Sequence, residues 1–364
     1  MAVSEQVAES QESFQTEDVA EPVPPADIVA YNELRSCADL VRLHASGKLE
    51  IQPDFQREVV WASNDRTRFI DSLVKQLPIP SMCFSLDYKT QKWKVIDGLQ
   101  RMSSIIGFLS GPVMKLTDLA DIHPSLRGTT NDTLRKGTEE ERRLYALVED
   151  VSIPVTVIRC DYTQQSHMRY LFTIFHRLNS GGVRLTNQEI RNCIYTGPFN
   201  DFLKKFDKES QDWKAVARRI WGSMDRFRSI EVLLRVLAFG EKQEAYDGNL
   251  ARFLNDYMQT HAMAKTEDIE VFEKDLHRLV HLAKAVLDTE SRKKLPLALV
   301  EALLVGLYNN LEGLVACSAD DIAKAYKTLI ADEVFSESAR YAVSSPENVA
   351  MRLVLATGVF KGVC

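Results

Sequence analysis

The stretch from Trp93 to Arg101 places polar residues and a glycine where an apolar strand pattern changes into a helical one. A helix N-terminus exposes unpaired backbone N–H groups and the positive end of the helix dipole, which together suit an anion such as phosphate. Gly98 permits a tight turn there, and the Arg101 guanidinium can donate paired hydrogen bonds to phosphate oxygens. Asp97 can bind Mg²⁺ or orient a water molecule. These residues predict an anion-binding site at a strand-to-helix turn.

A purely structural interpretation of the same residues stays open. Asp97 can cap the helix N-terminus, and Arg101 lies four residues further on, which is the spacing of an ion pair on one helix face. This junction by itself does not distinguish the two interpretations.

Two other segments carry side chains that can join such a site. Gln56 and Arg57 place an amide and a guanidinium in a predicted loop. Arg177 and Asn179 stand at a predicted helix end, beside the glycines at 181–182. Glycines let a ligand approach the backbone closely, but they also end helices, so both roles stay open.

Apolar patterns predict the elements that position these residues. Strands are predicted near residues 82–86, 93–96 and 153–157, and helices over residues 100–109 and 170–178. A short helix ending at Gly47 is predicted by four apolar residues, Leu34, Leu40, Val41 and Leu43. Thr186 and Glu189 have the spacing of a capping box that starts another helix.

Beyond residue 200 the strand patterns disappear and long helical periodicities follow, the last of them opened by Ser345 and Pro346. We therefore predict an α+β chain, with a mixed α/β domain over residues 28–195 and an all-helical domain over residues 196–364.

The acidic charge of the chain is concentrated at its N-terminus. The net charge is −6, and residues 1–27 hold seven of the 51 acidic residues and no Lys or Arg. The other 44 acidic residues face 45 basic ones, so the rest of the chain is nearly neutral. This balance predicts a disordered tail over residues 1–27 and argues against a strongly basic nucleic-acid-binding surface.

The six cysteines are far apart and include no C-x-x-C pair, which argues against a zinc knuckle or a secreted disulfide framework. No stretch reaches 18 apolar residues, and the N-terminus lacks the pattern of a signal peptide. We expect a cytoplasmic protein without a membrane span.

Four sequence blocks, taken in order, resemble the N-terminal domain of the GmrSD-type modification-dependent restriction endonucleases. The blocks are Ile51–Arg57 with Trp61, Leu77–Pro80, Val95–Arg101 and Phe175–Gly182. The resemblance covers roughly residues 31–200 and implies a ParB/sulfiredoxin-like α+β core that binds a nucleoside triphosphate (NTP). In that family a D-G-Q-Q-R motif is tied to NTP hydrolysis, which gates a nuclease in defence against phage DNA.

The resemblance assigns roles by position. Asp97, Gly98, Gln100 and Arg101 match the D-G-Q-Q-R motif, with Leu99 in place of one glutamine. We expect Leu99 to pack, because its two neighbours already provide polar groups. The first block would contribute Gln56 and Arg57, and the fourth block Arg177 and Asn179.

The resemblance also implies an HNH-type nuclease domain further along the chain, but no H-N-H or D-H-x-x-P arrangement occurs after residue 200. His277 and His281 are four residues apart, yet the pattern favours a solvated helix over a metal site. The mixture of basic and aromatic residues between 202 and 228 can stack on nucleic-acid bases, but it favours an amphipathic helix pair with buried aromatic rings.

The leading hypothesis is an NTP-binding and NTP-hydrolysing module of bacterial defence, with a separate nuclease effector. Asp97, Gln100 and Arg101 would be catalytic, and Asp97 would bind Mg²⁺. Phosphates and the nucleotide would contact Gln56, Arg57, Gly98, Arg101, Arg177 and Asn179. Two alternatives stay open: a non-catalytic module that senses DNA or a nucleotide, and a stand-alone ParB-like nuclease. The sequence leaves DNA binding and homo-oligomerisation undecided.

Overall fold

The computed structural model describes residues 25–51, 61–178, 185–222 and 227–363. The chain divides into two compact units, with the division between residues 184 and 185. Residues 1–24 of the predicted tail lie outside the described residues, and so do three residues of the predicted site, Gln56, Arg57 and Asn179.

The first unit combines a sheet with helices. Its described strands are β1 (Val29–Ser36), β2 (Leu49–Glu50), β3 (Met82–Asp87), β4 (Trp93–Asp97) and β5 (Ser152–Cys160). Its described helices are α1 (Cys37–Ala45), α2 (Ser63–Val74), α3 (Leu99–Leu109), α4 (Asn131–Lys136), α5 (Glu139–Asp150) and α6 (Gln165–Leu178), with a 3₁₀ turn at Pro124–Leu126.

The described strands form one sheet in the order β1-β5-β3-β4-β2. The pairs β1–β5 and β3–β4 are antiparallel, whereas β3–β5 and β2–β4 are parallel. A mixed sheet followed by many helices confirms the predicted α+β class.

The main core of the first unit lies on one face of the sheet. Alternate residues of β5, namely Ile153, Val155 and Val157, are fully buried there, as their spacing predicted. They belong to the same apolar cluster as residues of α1, α2, α3 and α5, such as Leu73 and Phe108. This packing fixes β3 and β4, and with them the turn that follows β4.

The predicted helix ending at Gly47 is shorter than expected, and Leu34 belongs to a strand. β1 runs from Val29 to Ser36, and α1 begins only at Cys37, where the Ser36 side chain caps the helix N-terminus. Leu34 is 71% exposed and therefore adds nothing to a buried helix face. The pairing of β1 with β5 along all eight residues decides the conformation here, and this long-range contact leaves no helical period to detect.

The described part of the second unit is helical. Its helices are α7 (Asn187–Ile194), α8 (Pro198–Glu209), α9 (Gln211–Trp221), α10 (Arg228–Lys242), α11 (Leu250–His261), α12 (Thr266–Asp288), α13 (Leu297–Tyr308), α14 (Leu311–Leu314), α15 (Ala319–Ala331), α16 (Glu333–Ser338) and α17 (Pro346–Lys361), with a 3₁₀ turn at Gln243–Ala245. The predicted capping box of Thr186 and Glu189 starts α7, and Ser345 caps α17 with Pro346 in its first turn.

α13 is the central helix of this unit. All its residues from Ala298 to Leu307 are buried, which is typical of a helix surrounded by others. It packs against α10, α12 and α17. None of the described helices has the length and apolar character needed to cross a lipid bilayer.

A network of buried charges connects helices of the second unit. Glu231 on α10 pairs with Arg235 at 2.7 Å and with Arg191 of α7 at 3.0 Å. Arg235 also pairs with Glu301 of α13 at 3.2 Å, and Arg352 of α17 approaches the same carboxylate at 3.7 Å.

The cysteines differ partly from expectation. Cys37, Cys83 and Cys160 are buried free thiols, whereas Cys317 is disulfide-bonded. The wide cysteine spacing argued against a disulfide framework, but it does not report on a single bond.

Candidate functional site

The turn between β4 and α3 depends on a glycine. Gly98 has φ 94° and ψ 18°, the left-handed conformation that residues with a Cβ adopt at a cost. A Cβ at this position would lie 2.6 Å from Cγ of Met82, a fully buried residue of β3. The turn therefore brings the start of α3 against the sheet more closely than another residue would allow.

The start of α3 presents unpaired donors. The first hydrogen bond of the helix runs from the Met102 N–H to the Gly98 carbonyl, at 2.8 Å. The N–H groups of residues 99–101 precede that bond and have no acceptor within the helix. They lie beside the end of β4, where Asp97 is located.

Asp97 and Arg101 form an ion pair. Arg101 Nη2 donates to Asp97 Oδ2 at 2.6 Å, and the two side chains are 13% and 37% exposed, respectively. The predicted ion-pair alternative is thus present, but the predicted cap is not, because the N-cap residue is Gly98. Asp97 keeps more than a third of its side chain open to solvent.

Arg101 is also attached to the segment before β3. Its Nη1 donates to the carbonyl oxygen of Ser81 at 3.3 Å and to that of Pro80. A guanidinium carries five N–H donors, so these contacts within the described residues leave two for a further anion. Sequence reasoning assigned no role to the Pro80 and Ser81 carbonyls, although Leu77–Pro80 was one of the blocks that carried the resemblance.

Gln100 contacts the residue that follows the first motif loop. Its Oε1 accepts a hydrogen bond from the Trp61 N–H at 2.9 Å. The Trp61 ring packs edge-to-face on Phe69 of α2, with ring centroids 5.4 Å apart. Gln100 therefore ties Trp61, the last residue of the first sequence block, to the β4–α3 turn.

Leu99 packs against the apolar core of the first unit, as expected for the residue that departs from the motif. Its place in the motif is thus used for packing, while Gln100 and Arg101 carry the polar contacts.

Cys83 lies opposite Asp97 across the β3–β4 pair, beside a bulge between Cys83 and Phe84. Burial, with a smaller contribution from the Asp97 charge, raises the pKa of the Cys83 thiol to about 12. A thiol that stays protonated at neutral pH is a poor nucleophile, so Cys83 has a structural and not a chemical role at the site.

Arg177 lies in the last turn of α6, and its side chain is exposed. α6 packs against β4, the strand that ends at Asp97. The structure thus brings the element that carries Arg177 to the strand that carries the motif.

Asp97 does not belong to a cluster of metal-binding side chains within the described residues. Among the residues that the structure describes, no group of three or more His, Cys, Asp or Glu side chains could hold a metal ion. A metal at Asp97 would therefore take most of its ligands from elsewhere.

Two further sequence features were weaker candidates for function: the His277/His281 pair and the aromatic residues between 202 and 228. His277 and His281 are exposed on α12, as the solvated-helix interpretation predicted. Phe202, Phe206 and Trp213 are buried between helices, as expected for an amphipathic pair.

The first unit is an α+β domain with a glycine turn between β4 and α3, and its sequence matches a known family. The family model described as GmrSD restriction endonuclease, N-terminal domain, matches residues 38–196. The match supports placing residues 38–196 in that family, and such a domain implies a restriction-defence-related module. Neither the curated proteins nor the solved structures contain a match.

Proposed function

We propose that the first unit binds an NTP at the β4–α3 turn and hydrolyses it as part of restriction defence. The observation that supports this most is the turn itself. In a GmrSD N-terminal domain, it presents helix N–H groups, a solvent-accessible Asp97 and a guanidinium with unused donors within one turn of helix.

The phosphates would bind at the start of α3. The N–H groups of residues 99–101 and the two remaining donors of Arg101 supply hydrogen bonds to phosphate oxygens. Arg57 and Arg177 would add positive charge from the first loop and from the end of α6.

Hydrolysis requires a water molecule placed in line with the terminal phosphate. The water oxygen forms a bond to the γ-phosphorus while the bond to the β–γ bridging oxygen breaks, and a nucleoside diphosphate, phosphate and a proton are released. Asp97 would accept a hydrogen bond from that water and orient it. Gln100 and Asn179 would orient the nucleotide through their amide groups.

Mg²⁺ fits this arrangement as an ion that arrives with the nucleotide. Mg²⁺ is commonly bound by one or two carboxylates together with phosphate oxygens and water, and Asp97 supplies one accessible carboxylate. When bound, the ion would neutralise charge on the phosphates.

The consequence of hydrolysis would be control of a separate nuclease effector acting on DNA. This step would follow from the family to which residues 38–196 belong.

One observation favours the binding-only alternative. Oδ2 of Asp97 already accepts a hydrogen bond from Arg101 Nη2 at 2.6 Å, so this oxygen is engaged within the turn. In that case the module would sense a nucleotide or DNA without turnover, and the Asp97–Arg101 pair would serve mainly to hold the turn.

Phosphate release from ATP, GTP, CTP and UTP, each with Mg²⁺ and with or without DNA, tests the proposal. Binding of the same nucleotides is measured by calorimetry. We expect Asp97→Asn to lower turnover at least about 100-fold while binding changes little. Binding without phosphate release from any nucleotide would select the sensing alternative, and absence of both would overturn the proposal.

A matched control is available in the same unit. Arg68 and Asp121 also form an Arg–Asp pair, at 3.0 Å, but both side chains are more than half exposed. Arg68→Ala should leave binding and turnover unchanged, whereas Arg101→Ala should weaken both.

A further inference from the structure

β1 is an edge strand whose outer side is open. All eight of its residues pair with β5 on one side, and in the described part of the chain no backbone hydrogen bond reaches the other side. Exposed edges of this length offer unpaired N–H and C=O groups to another strand. Natural edge strands are commonly protected by Lys or Pro, and β1 contains neither.

The side chains of β1 are unusually exposed for a strand. Leu34 lies on the face opposite the main core, and Val29 and Tyr31 are also more than a third exposed. Glu33 and Arg35 lie next to each other on the other face, with Arg35 Nε 2.8 Å from Glu33 Oε1. The open edge therefore carries one negative charge, one positive charge and an apolar residue between them.

Two-fold symmetry limits how two such edges can pair. If two copies extend one sheet, the two-fold axis is perpendicular to the sheet, so the strands are antiparallel and each side chain keeps its face. Residues that face each other across the two strands must have their side chains on the same face of the sheet. The axis must therefore pass between one residue of β1 and the same residue of the second copy. An axis at Glu33 would place two glutamates opposite each other, which is unfavourable.

An axis at Leu34 is complementary. It places Glu33 of each copy opposite Arg35 of the other, so that two cross-strand ion pairs form. It also brings the two Leu34 side chains together on the opposite face, where each is now exposed to water. The paired segment would run over Asn32–Ser36 of both copies.

We propose that β1 is a self-association surface, through which a second copy of this chain extends the sheet with its two-fold axis at Leu34. The contact is short, so the dimer should be weak and dependent on concentration, with a dissociation constant in the micromolar range, roughly 1–100 µM. This proposal does not depend on NTP binding.

Charge reversal tests the register in the full-length chain. In a dimer of either single variant, Glu33→Arg or Arg35→Glu, like charges face each other across the axis, and the dissociation constant should rise about tenfold. In an equimolar mixture of the two variants, two arginines of one copy face two glutamates of the other, so heterodimers should form at near wild-type affinity. The double variant carrying both substitutions should dimerise like wild type.

Sedimentation velocity over roughly 1–500 µM measures these dissociation constants. Arg35→Glu also breaks the ion pair of Arg35 with Asp39 at 2.6 Å, so circular dichroism melting of each variant checks its folding. Recovery of heterodimers in the mixture itself shows that both variants fold.

A wild-type chain that stays monomeric over this range would overturn the proposal, and so would a mixture in which no heterodimer forms. Deletion of residues 1–24 should leave the dissociation constant unchanged. A dimer that disappears with that deletion would place self-association in the tail and also contradict the proposal.

Discussion

At the scale of single residues, Gly98 determines the geometry of the candidate site. The left-handed φ of 94° and the contact with Met82 are separate restrictions, one on the backbone and one on the space beside it. Asp97, Gln100 and Arg101 keep their relative positions because this turn is tight.

Gly98→Ala should lower the free energy of unfolding by roughly 2–4 kcal/mol, since it adds backbone strain to a clash with a buried side chain. Urea unfolding followed by circular dichroism measures this change. Phosphate binding at the start of α3 should weaken as well, because the displaced turn carries the donors.

Gly107 in the same helix provides the control for that substitution. A Cβ there would have only an ordinary contact, 3.9 Å from Met114 Sδ. Gly107→Ala should therefore stabilise the chain by about 0.5–1 kcal/mol. Equal effects of the two substitutions would show that the turn does not require glycine.

At the scale of elements, buried charges hold helices of the second unit together. Burial opposes ionisation of Glu231, but Arg235 and Arg191 outweigh burial and lower the pKa of this carboxyl to about 2. The carboxylate thereby connects α7, which starts just after the fourth sequence block, to α10.

Glu231→Gln should destabilise the chain by about 3–5 kcal/mol at pH 7, because it leaves two buried guanidiniums without their shared counter-charge. Ionised Glu231 contributes fully to the stability of the folded state above its unfolded pKa of about 4.5. This stabilisation is lost as the pH falls toward the folded pKa. The stability difference between wild type and variant should therefore shrink below about pH 4.5.

Urea unfolding at pH 7 and pH 3 measures both effects. The exposed pair of Asp321 and Lys324, at 2.9 Å, is the control, and Asp321→Asn should leave stability nearly unchanged at either pH. A difference for Glu231→Gln that is constant with pH would mean that its charge is not the cause.

At the scale of the whole molecule, the acidic tail and the folded body meet at Asp27. His167 is fully buried, and its Nδ1 accepts the Asp161 N–H at 2.9 Å, so its Nε2 carries the proton and donates to Asp27 Oδ1 at 2.8 Å. The predicted tail of residues 1–27 therefore includes one residue that contacts a buried side chain of the first unit.

Deletion of residues 1–24 should leave nucleotide affinity and melting temperature unchanged, although it removes six acidic residues and brings the net charge from −6 to zero. Asp27→Ala in the full chain should lower the melting temperature, because the buried His167 loses its acceptor. Calorimetry of nucleotide binding and thermal melting separate the two effects. A deletion that lowers affinity would give the tail a role in the site.

Local patterns predicted much of the fold. Ile153, Val155 and Val157 alternate as a half-buried strand requires, and Thr186 with Glu189 marked a helix start. The local pattern wrongly predicts a helix at Leu34, because the partner strand lies more than 100 residues away and no local period reports such a pairing.

The candidate site was predicted in part. The chemistry of Asp97, Gly98, Gln100 and Arg101 follows from their types and spacing at a strand-to-helix junction. The contacts that hold them, to Pro80, Ser81, Trp61 and Met82, come from residues 16 to 39 positions away. Arg57 and Asn179 keep their predicted roles as proposals.

The sequence by itself determined the residue types at the β4–α3 turn, the helical character beyond residue 200 and the family of residues 38–196, because these depend on local order along the chain. Only the tertiary structure decided that Arg101 binds Asp97 and two carbonyls at once, that β1 is an open edge among the described residues, and that Glu231 pairs with two buried arginines. Each of these depends on which distant segments pack together, and the hydrophobic effect and strand pairing settle that for the whole chain at once.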